Sequence, residues 1–241
     1  MSNLNFPVSS ARHPNPRLTQ SDLVICDFDG TISQQDVGIA VIEALNLHEA
    51  WEIEMRWRRG EIGSMECLAQ QWGMVELPAT ELLALIDSLP VDWHFLRFVE
   101  LCRQRRVGLV VVSDGLDIYV DRMLARMGFS PCSGEKAASR KDSCLPRFVN
   151  HADLARDGVK VTFPHRSDDC ALCANCKTAH LFRLRPHFGR TIYIGDGYSD
   201  YCPARYADIV FAKAHLAEFC QQQRLPHIAF NDFSDILKTV S

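Results

Sequence analysis

Residues 24–32 constrain the fold of this chain more than any other segment; they read VICDFDGTI. A short apolar run of this kind is typical of a strand buried in a parallel sheet. The run ends in two carboxylates one residue apart, Asp27 and Asp29, at the strand end where open α/β sheets bind ligands. Because residues i and i+2 of a strand share a face, both carboxylates can point at one spot. Two crowded anions are costly unless a hard cation neutralises them, so the segment predicts a Mg²⁺ site.

Length and charge narrow the class of protein. The 241 residues suit one α/β domain with an insertion, or two small domains, and a hydrophobic fraction of 47% is enough for a packed core. The formal net charge of -4 and the pI near 6.1 give no electrostatic basis for binding nucleic acid or an anionic membrane. We therefore expect a small-molecule partner, with no nucleic acid and no membrane involved. The sequence leaves both a monomer and a homodimer open.

Ten cysteines are many for this length, and they are spread along the chain. The sequence opens without a charged and then apolar leader, and it contains no apolar run of membrane-spanning length. We therefore expect a cytoplasmic protein with reduced thiols rather than a disulfide framework.

The hydrophobic pattern divides the chain into an arm, a core and an insertion. Residues 1–20 carry three prolines and no apolar period, which predicts a mobile arm. A strand is predicted at 22–26, and a helical pattern then runs from 36 to 105, where Asp36 can cap the first helix. All four tryptophans fall in this helical stretch, which suggests an aromatic core of the insertion or an aromatic wall over a site; we expect at least three of them to be core residues. The predicted domains are a core of 21–35 and 106–241 and a helical cap of 36–105.

Further buried strands follow the insertion. They are predicted at 107–112, 191–194 and 208–211, with helices between them and one helix at 177–184. Residues 128–176 are expected to be irregular, with short strands at 147–149 and 159–163. Strands that alternate with helices predict an α/β fold, a Rossmann-like parallel sheet with a helical cap inserted after the first strand.

Each buried strand is followed by residues suited to phosphoryl chemistry. Ser113, Asp114 and Gly115 follow the second strand, and Asp196 and Asp200 follow the third. In a parallel sheet these ends lie at one edge, which Lys177 can also reach from the start of its helix. We prefer Lys177 over Lys160 and Lys141 because it stands just before that helix and the third strand.

This set of residues predicts a separate catalytic or binding role for each member. Asp27 attacks phosphorus and becomes an aspartyl-phosphate, while Asp29 protonates the leaving oxygen and then deprotonates water. Ser113, Lys177 and the backbone N–H groups around Asp114 and Gly115 hold the phosphate oxygens. Asp27, the Asp29 carbonyl and Asp196 bind Mg²⁺, and Asp200 orients Lys177 or a metal-bound water.

Four motifs are therefore present in order: Asp27 with Asp29, residues 113–115, Lys177, and Asp196 with Asp200. In this order they resemble the haloacid dehalogenase (HAD) superfamily of phosphatases across roughly residues 22–212. The insertion resembles the cap of the phosphoserine-phosphatase-like branch. Residues 163–165 (FPH), 176–177 (CK), and Gly195-Asp196 with the following Asp200 resemble the methionine-salvage family that acts on 2-hydroxy-3-keto-5-methylthiopentenyl-1-phosphate. The pattern at 200–203 (DYCP) is similar to that of phosphocholine and phosphoethanolamine phosphatases. The resemblance implies a Mg²⁺-dependent phosphomonoester phosphatase; the alternatives are a phosphocholine/phosphoethanolamine- or phosphoserine-type enzyme, a phosphotransferase or mutase, and a non-catalytic metal-binding interaction protein.

Two further groups of residues are candidates for binding. His165, Cys170, Cys173 and Cys176 have the residue types of a structural zinc site, with Cys202 as a substitute ligand; packed free thiols and a disulfide are the alternatives. At the start of the insertion and within it, the candidates for substrate contact are Gln35, Asp36 and Arg56.

Overall fold

A computed structural model describes residues 15–138, 144–155, 158–168 and 170–241. Its centre is an eight-stranded sheet in the order β3-β4-β2-β1-β6-β7-β8, with β5 paired to β4. The strands are β1 Asp22–Cys26, β2 Gly108–Leu116, β3 Pro131–Ser133, β4 Leu145–Ala155, β5 Gly158–Thr162, β6 Arg190–Gly195, β7 Ile209–Ala212 and β8 Ile228–Ala229. All pairings are parallel except the β4–β5 hairpin. The predicted α/β fold is confirmed.

The central strand β1 explains why its sequence is apolar throughout. Val24 and Cys26 pack into the core on one face of the sheet, and Leu23 and Ile25 into the core on the other. A strand covered on both faces has no polar side, so its sequence is a continuous apolar run. Cys26 pairs with Val111 of β2 and Ile194 of β6, so Asp27 emerges between the ends of both neighbours.

Ten helices cover the sheet and form the insertion in the described part of the chain. They are α1 Val37–Ala44, α2 His48–Arg58, α3 Ser64–Gly73, α4 Ala79–Ser88, α5 His94–Gln104, α6 Asp117–Arg126, α7 Lys177–Leu184, α8 Tyr201–Ala204, α9 Ala214–Gln222 and α10 Phe233–Val240. The predicted helix at 177–184 coincides with α7. As predicted, Asp36 caps α1, accepting a hydrogen bond from Ile39 N at 2.9 Å.

The insertion is shorter than the predicted 36–105. A bridge between Ser33 and Val91 closes its base. Helix α5, which lies beyond that bridge, packs on the core through Phe95, whose ring centroid lies 4.9 Å from that of Phe233 in α10. The helical period of α5 continues that of the preceding helices, so the pattern alone does not reveal the change of layer. We therefore assign α1–α4 to the cap and α5 to the core.

The prediction that at least three tryptophans are core residues is wrong. Trp72 is buried, Trp51 and Trp57 are half-buried, and Trp93 is 54% exposed. Trp57 and Trp72 of the cap line a cavity, so these aromatic residues form a cavity wall as well as part of a core.

The stretch predicted as irregular contains three strands of the sheet, β3, β4 and β5. The strand expected at 147–149 is part of the eleven-residue β4, which pairs with β2, and β3 pairs with β4 in turn. Polar residues hide β4 from a search for apolar runs; one of them, Arg147, donates to Asp121 of α6 at 2.6 Å. The strand expected at 159–163 is observed as β5.

One pair of cysteines departs from the expectation of reduced thiols. Cys132 in β3 and Cys144 beside β4 form a disulfide, because the two neighbouring strands bring their Cα atoms to 5.9 Å. Eight cysteines are free.

The described part of the predicted arm, residues 15–20, contacts the core. Leu18 is buried, and its backbone N–H donates to Val240 O at 3.4 Å. Residues 1–14 lie outside the described residues, so the prediction of a mobile arm stays a prediction there.

None of the helices in the described ranges has both the length and the apolar composition needed to cross a bilayer.

Candidate active site

The carboxyl edge of the sheet opens into a cavity of about 250 Å³ beneath the cap. Its floor is formed by the residues that the sequence predicted to converge: Asp27, Asp29, Ser113, Asp114, Gly115, Lys177 and Asp196. They come from four separate chain segments and meet because β1, β2 and β6 are adjacent and parallel.

Lys177 is the cation at the centre of the floor. Its Nζ lies 2.8 Å from Asp27 Oδ1 and 2.6 Å from Asp200 Oδ1, and it donates to Ser199 Oγ at 2.9 Å. The residue is 2% exposed. Burial alone would lower the pKa of Lys177, but the Asp200 and Asp27 carboxylates hold that pKa above its usual value. Lys177 is therefore a permanent cation aimed at the position of Asp27.

Asp200 serves to orient this lysine. Beyond Lys177, its Oδ1 accepts the Tyr193 hydroxyl at 2.6 Å, and its Oδ2 accepts the N–H groups of Asp196 and Gly197, both at 2.9 Å. Burial would raise the pKa of Asp200, but Lys177 and these donors lower it. Of the two roles predicted for Asp200, this geometry favours the orientation of Lys177.

Asp27 is a buried carboxylate in a negative neighbourhood. Burial raises its pKa well above the usual value, Asp200 raises it further, and Lys177 opposes both. Its Oδ1 accepts the Phe28 N–H at 2.7 Å. An anion held at such a cost is typical of a site built for function rather than stability.

Three carboxylates at this edge have the donor set of a hard cation site. Oxygen atoms of Asp27, Asp196 and Asp200 lie within 4.8 Å of one another. Asp196 Oδ1 accepts the Thr31 hydroxyl at 2.7 Å, and burial followed by the Asp200 charge raises the pKa of Asp196 to about 7. Clustered carboxylate oxygens fit Mg²⁺, and one lysine does not balance three carboxylates. Asp27 and Asp196 therefore fit as metal ligands.

Asp29 shares the face of Asp27 but has a different surrounding. Its Oδ1 accepts Val37 N at 3.0 Å, and its Oδ2 accepts the hydroxyls of Ser113 at 3.0 Å and Tyr119 at 2.9 Å. Burial, followed by the charge of Asp36, raises the pKa of Asp29 to about 7. A carboxyl group with a pKa near neutrality can both give and take a proton.

The Ser113-Asp114-Gly115 motif lies within β2 rather than after it. The Ser113 hydroxyl also accepts Gly115 N at 2.9 Å, and a Cβ on Gly115 would overlap the Tyr119 hydroxyl. The side chain of Asp114 accepts Asn175 N at 2.9 Å and thereby anchors the segment that precedes Lys177. The phosphate-binding role predicted around Asp114 stays a prediction.

The cap supplies the roof of the cavity. Its lining residues include Asp36, Glu54, Trp57, Arg58, Gln71 and Trp72, together with Tyr198 from the core. Buried Glu54 accepts Arg58 Nε at 2.8 Å and Gln71 Nε2 at 3.1 Å. Trp57 meets Tyr198 edge to face, with ring centroids 5.9 Å apart.

Only one of the three predicted substrate contacts lines this cavity. Asp36 does, whereas Gln35 is exposed and Arg56 pairs with Glu66 on the cap surface at 3.7 Å. Arg56 points away from the cavity because residues two apart on helix α2 differ by about 200° in direction. Arg58 therefore faces the cavity that was predicted for Arg56.

The predicted zinc ligands are only partly brought together. The sulfur atoms of Cys170, Cys173 and Cys176 lie within 4.8 Å of one another, and His165 is not part of this group. The His165 ring instead packs against Phe148, with centroids 5.2 Å apart, and against His180 at 5.5 Å. The structure does not support His165 as a ligand, because edge-to-face contacts with Phe148 and His180 hold its ring elsewhere.

Sequence reasoning missed two hydroxyl donors, Tyr119 and Tyr193. Tyr193 lies inside the apolar run of β6, where a tyrosine resembles any other core aromatic. Tyr119 stands in the first turn of α6, four residues after Gly115, and this spacing from the motif was the available signal.

Comparisons with known proteins agree with this geometry. A family model described as "Putative Phosphatase" matches residues 22–217. The 2-hydroxy-3-keto-5-methylthiopentenyl-1-phosphate phosphatase of Brevibacillus brevis is 26% identical over 222 residues, which cover 90% of this chain and 93% of that protein. The enzyme of the same name from Geobacillus kaustophilus is 28% identical and covers 91% and 96%.

Solved structures share the fold. A HAD family hydrolase from Salmonella enterica serovar Typhi superposes with a TM-score of 0.70 at 18% identity, covering 95% of this chain and 72% of that one. A phospho-aspartyl intermediate analogue of phosphoserine phosphatase gives 0.65 at 18% identity, covering 91% and 98%. The chain has the fold of these structures. Because the family model spans most of its length, this chain belongs to the "Putative Phosphatase" family and is a phosphomonoester hydrolase.

Proposed function

We propose that this protein is a Mg²⁺-dependent phosphatase that works through a phosphorylated Asp27 and acts on a small enol phosphate of the methionine-salvage type. The observation that carries the mechanism is the geometry of Asp27, whose Oδ1 lies 2.8 Å from Lys177 Nζ while Asp29 lines the same cavity two residues later. A nucleophile, an adjacent cation and an acid of tuned pKa are the parts that phosphoryl transfer requires.

The chemistry divides into two steps. In the first, a carboxylate oxygen of Asp27 bonds to phosphorus as the bond to the leaving oxygen breaks, and Asp29 gives that oxygen its proton. In the second, Asp29 takes a proton from water, which attacks the same phosphorus and releases inorganic phosphate and free Asp27. Asp29 returns to its starting state, consistent with its pKa of about 7.

Two other groups hold the transferring phosphoryl group. Lys177 is fixed by Asp200 and stays charged, and the Ser113 hydroxyl lies 3.0 Å from Asp29, which follows the neighbouring strand β1. Donors that are oriented before reaction stabilise developing charge without reorganising. Asp27, Asp196 and the Asp29 carbonyl would hold Mg²⁺, which would neutralise charge on the phosphate oxygens and on the crowded carboxylates.

The roof of the cavity supports a substrate that is neutral beyond its phosphate. Trp57 and Trp72 offer apolar faces, and Arg58 and Gln71 offer donors, which suit a thioether chain with hydroxyl and keto oxygens. Glu54 is the feature that favours the alternative, a phosphocholine- or phosphoethanolamine-type substrate with a cationic head. Its carboxylate is already paired with Arg58 at 2.8 Å and bonded to Gln71, so a cation would compete with a bound guanidinium. This balance favours the enol phosphate, in line with the names of the bacterial relatives.

The test is phosphate release from a panel of phosphomonoesters, assayed with Mg²⁺ and with EDTA. The panel contains the methionine-salvage enol phosphate, phosphoserine, phosphocholine, phosphoethanolamine and a sugar phosphate. We expect kcat/KM for the enol phosphate to exceed the others by at least about tenfold, and EDTA to abolish release until Mg²⁺ is restored. A preference for phosphocholine or phosphoethanolamine would overturn the substrate assignment, and full activity in EDTA would overturn the metal dependence.

Two arginines of the same helix provide a matched pair for the cap. Arg58→Met is expected to lower kcat/KM for the preferred substrate by about tenfold because it removes a cavity donor, whereas Arg56→Met should change it by less than about twofold. Circular dichroism and a melting curve check that both variants are folded. Equal effects of the two substitutions would contradict the assignment of α2 to the substrate roof.

A further inference from the structure

The segment before Lys177 contains a cluster of thiols that the phosphatase mechanism does not use. Cys170, Cys173 and Cys176 are free cysteines whose sulfur atoms all lie within 4.8 Å of one another. The Sγ atoms of Cys170 and Cys173 are 3.4 Å apart. Three thiols converge here from a stretch of seven residues without regular secondary structure, so chain geometry alone does not explain why their side chains turn to one point.

The distances match the edges of a metal tetrahedron. Zn–S bonds of ~2.3 Å in tetrahedral geometry separate neighbouring sulfur atoms by roughly 3.8 Å. The Cys170–Cys173 separation of 3.4 Å is close to this value, and the other two sulfur pairs lie within 4.8 Å, so a single ion can reach all three sulfur atoms. A disulfide would use two of the sulfur atoms and leave the third without a role, whereas a soft cation uses all three.

We propose that Cys170, Cys173 and Cys176 bind one zinc ion as thiolates. Binding releases one proton for each thiol that coordinates, because zinc binds the deprotonated form.

The position of the cluster gives the ion a structural task at the active site. Cys176 is the residue before α7, which begins at Lys177. One residue earlier, the Asn175 backbone donates to Asp114, and its side chain donates to Ser113 O at 2.8 Å. A fixed cluster therefore holds the segment that delivers Lys177 against β2.

The same segment also contacts the cap. Leu172 O accepts Ser64 N at 2.7 Å, at the start of α3. A Cβ on the neighbouring Gly63 would lie 3.1 Å from Ala171 O, so the two backbones are in close contact. Zinc would thereby tie the cap, β2 and Lys177 to one rigid point.

The experiment measures metal content and ligand type directly. Protein expressed with added zinc and purified under reducing conditions without chelator is analysed by plasma mass spectrometry, and Co²⁺ is then exchanged in anaerobically. We expect about one zinc per chain and a near-ultraviolet sulfur-to-cobalt charge-transfer band, which the carboxylate site at Asp27 cannot produce. Neither readout depends on phosphatase activity. A protein without zinc would therefore leave the proposed phosphatase function standing, and an inactive protein would leave the zinc proposal standing.

Variants separate the cluster from other thiols. Cys173→Ser and Cys176→Ser should lose the zinc and the cobalt band, because each removes one of the three thiolate ligands. Cys220→Ala, which removes a buried thiol elsewhere in the core, should retain both. The proposal is overturned if folded, reduced wild-type protein holds less than about one tenth of an equivalent of zinc and gives no thiolate band. It is equally overturned if peptide mapping of that protein finds a disulfide within the cluster.

Discussion

Asp27→Asn is expected to abolish phosphate release, with kcat reduced by at least about 10⁴-fold, because the amide offers no nucleophilic oxygen. The fold should persist, since the amide oxygen can still accept the Phe28 N–H that Asp27 Oδ1 accepts at 2.7 Å. Steady-state kinetics and urea unfolding measure the two effects. Asp153→Asn, an exposed carboxylate on β4, is the matched control and should keep full activity.

In the absence of metal, the Asp27→Asn variant should also be at least as stable as the wild type. Burial and Asp200 raise the pKa of Asp27 in the folded state. Above the usual carboxyl pKa of 3.8 the unfolded chain therefore binds fewer protons than the folded chain, and wild-type stability falls as pH rises. Asparagine does not titrate, so its advantage should grow from pH 4 towards neutrality. Residual activity above about a tenth of wild type, with the protein pure, would contradict the role given to Asp27.

Lys177→Met is expected to lower the free energy of unfolding by about 3–5 kcal/mol and to reduce kcat/KM by about 10²–10³-fold. The Nζ atom is the cation between Asp27 and Asp200, and its loss leaves both buried carboxylates without a countercharge. A loss of this size is a large part of the total stability of most domains, so the variant should unfold at much lower urea concentration.

A double-mutant cycle separates this charge effect from a loss of packing. Asp27→Asn combined with Lys177→Met removes one uncompensated carboxylate together with the lysine, so the double variant should be more stable than Lys177→Met alone. Lys160→Met, at an exposed position of β5, is the control. It should change neither the free energy of unfolding nor the activation free energy by more than about 0.5 kcal/mol. Asp27→Asn should raise the free energy of unfolding more in the Lys177→Met background than in the wild type, and equal changes in the two backgrounds would mean that the ion pair contributes nothing.

Much of this site was predictable because parallel strands end at one edge. The apolar run of β1, the polar residues after β6 and the helix start at Lys177 are local signals, and sheet topology brings them together. The α/β fold follows from the same alternation. Their catalytic roles stay predictions until the variants above are measured.

The features that the sequence did not reveal depend on contacts between distant or locally ambiguous residues. Whether Arg56 or Arg58 faces the cavity depends on the exact rotation of α2, which its charged sequence leaves open. The pairing of β4 with β2 depends on side chains such as Arg147, which finds its partner Asp121 26 residues away. The edge-to-face packing that turns His165 from the cysteines towards Phe148 is a tertiary contact of the same kind.

The most direct test of the account is chemical trapping of the covalent intermediate. Enzyme turning over its preferred phosphomonoester with Mg²⁺ is quenched and treated with hydroxylamine, which converts an acyl phosphate to a hydroxamate, and peptide mass spectrometry locates the change. We predict a substrate-dependent hydroxamate on Asp27, absent from Asp29 and from enzyme without substrate. Rapid turnover with no modification, or modification of a different carboxylate, would contradict the central claim that Asp27 is the nucleophile.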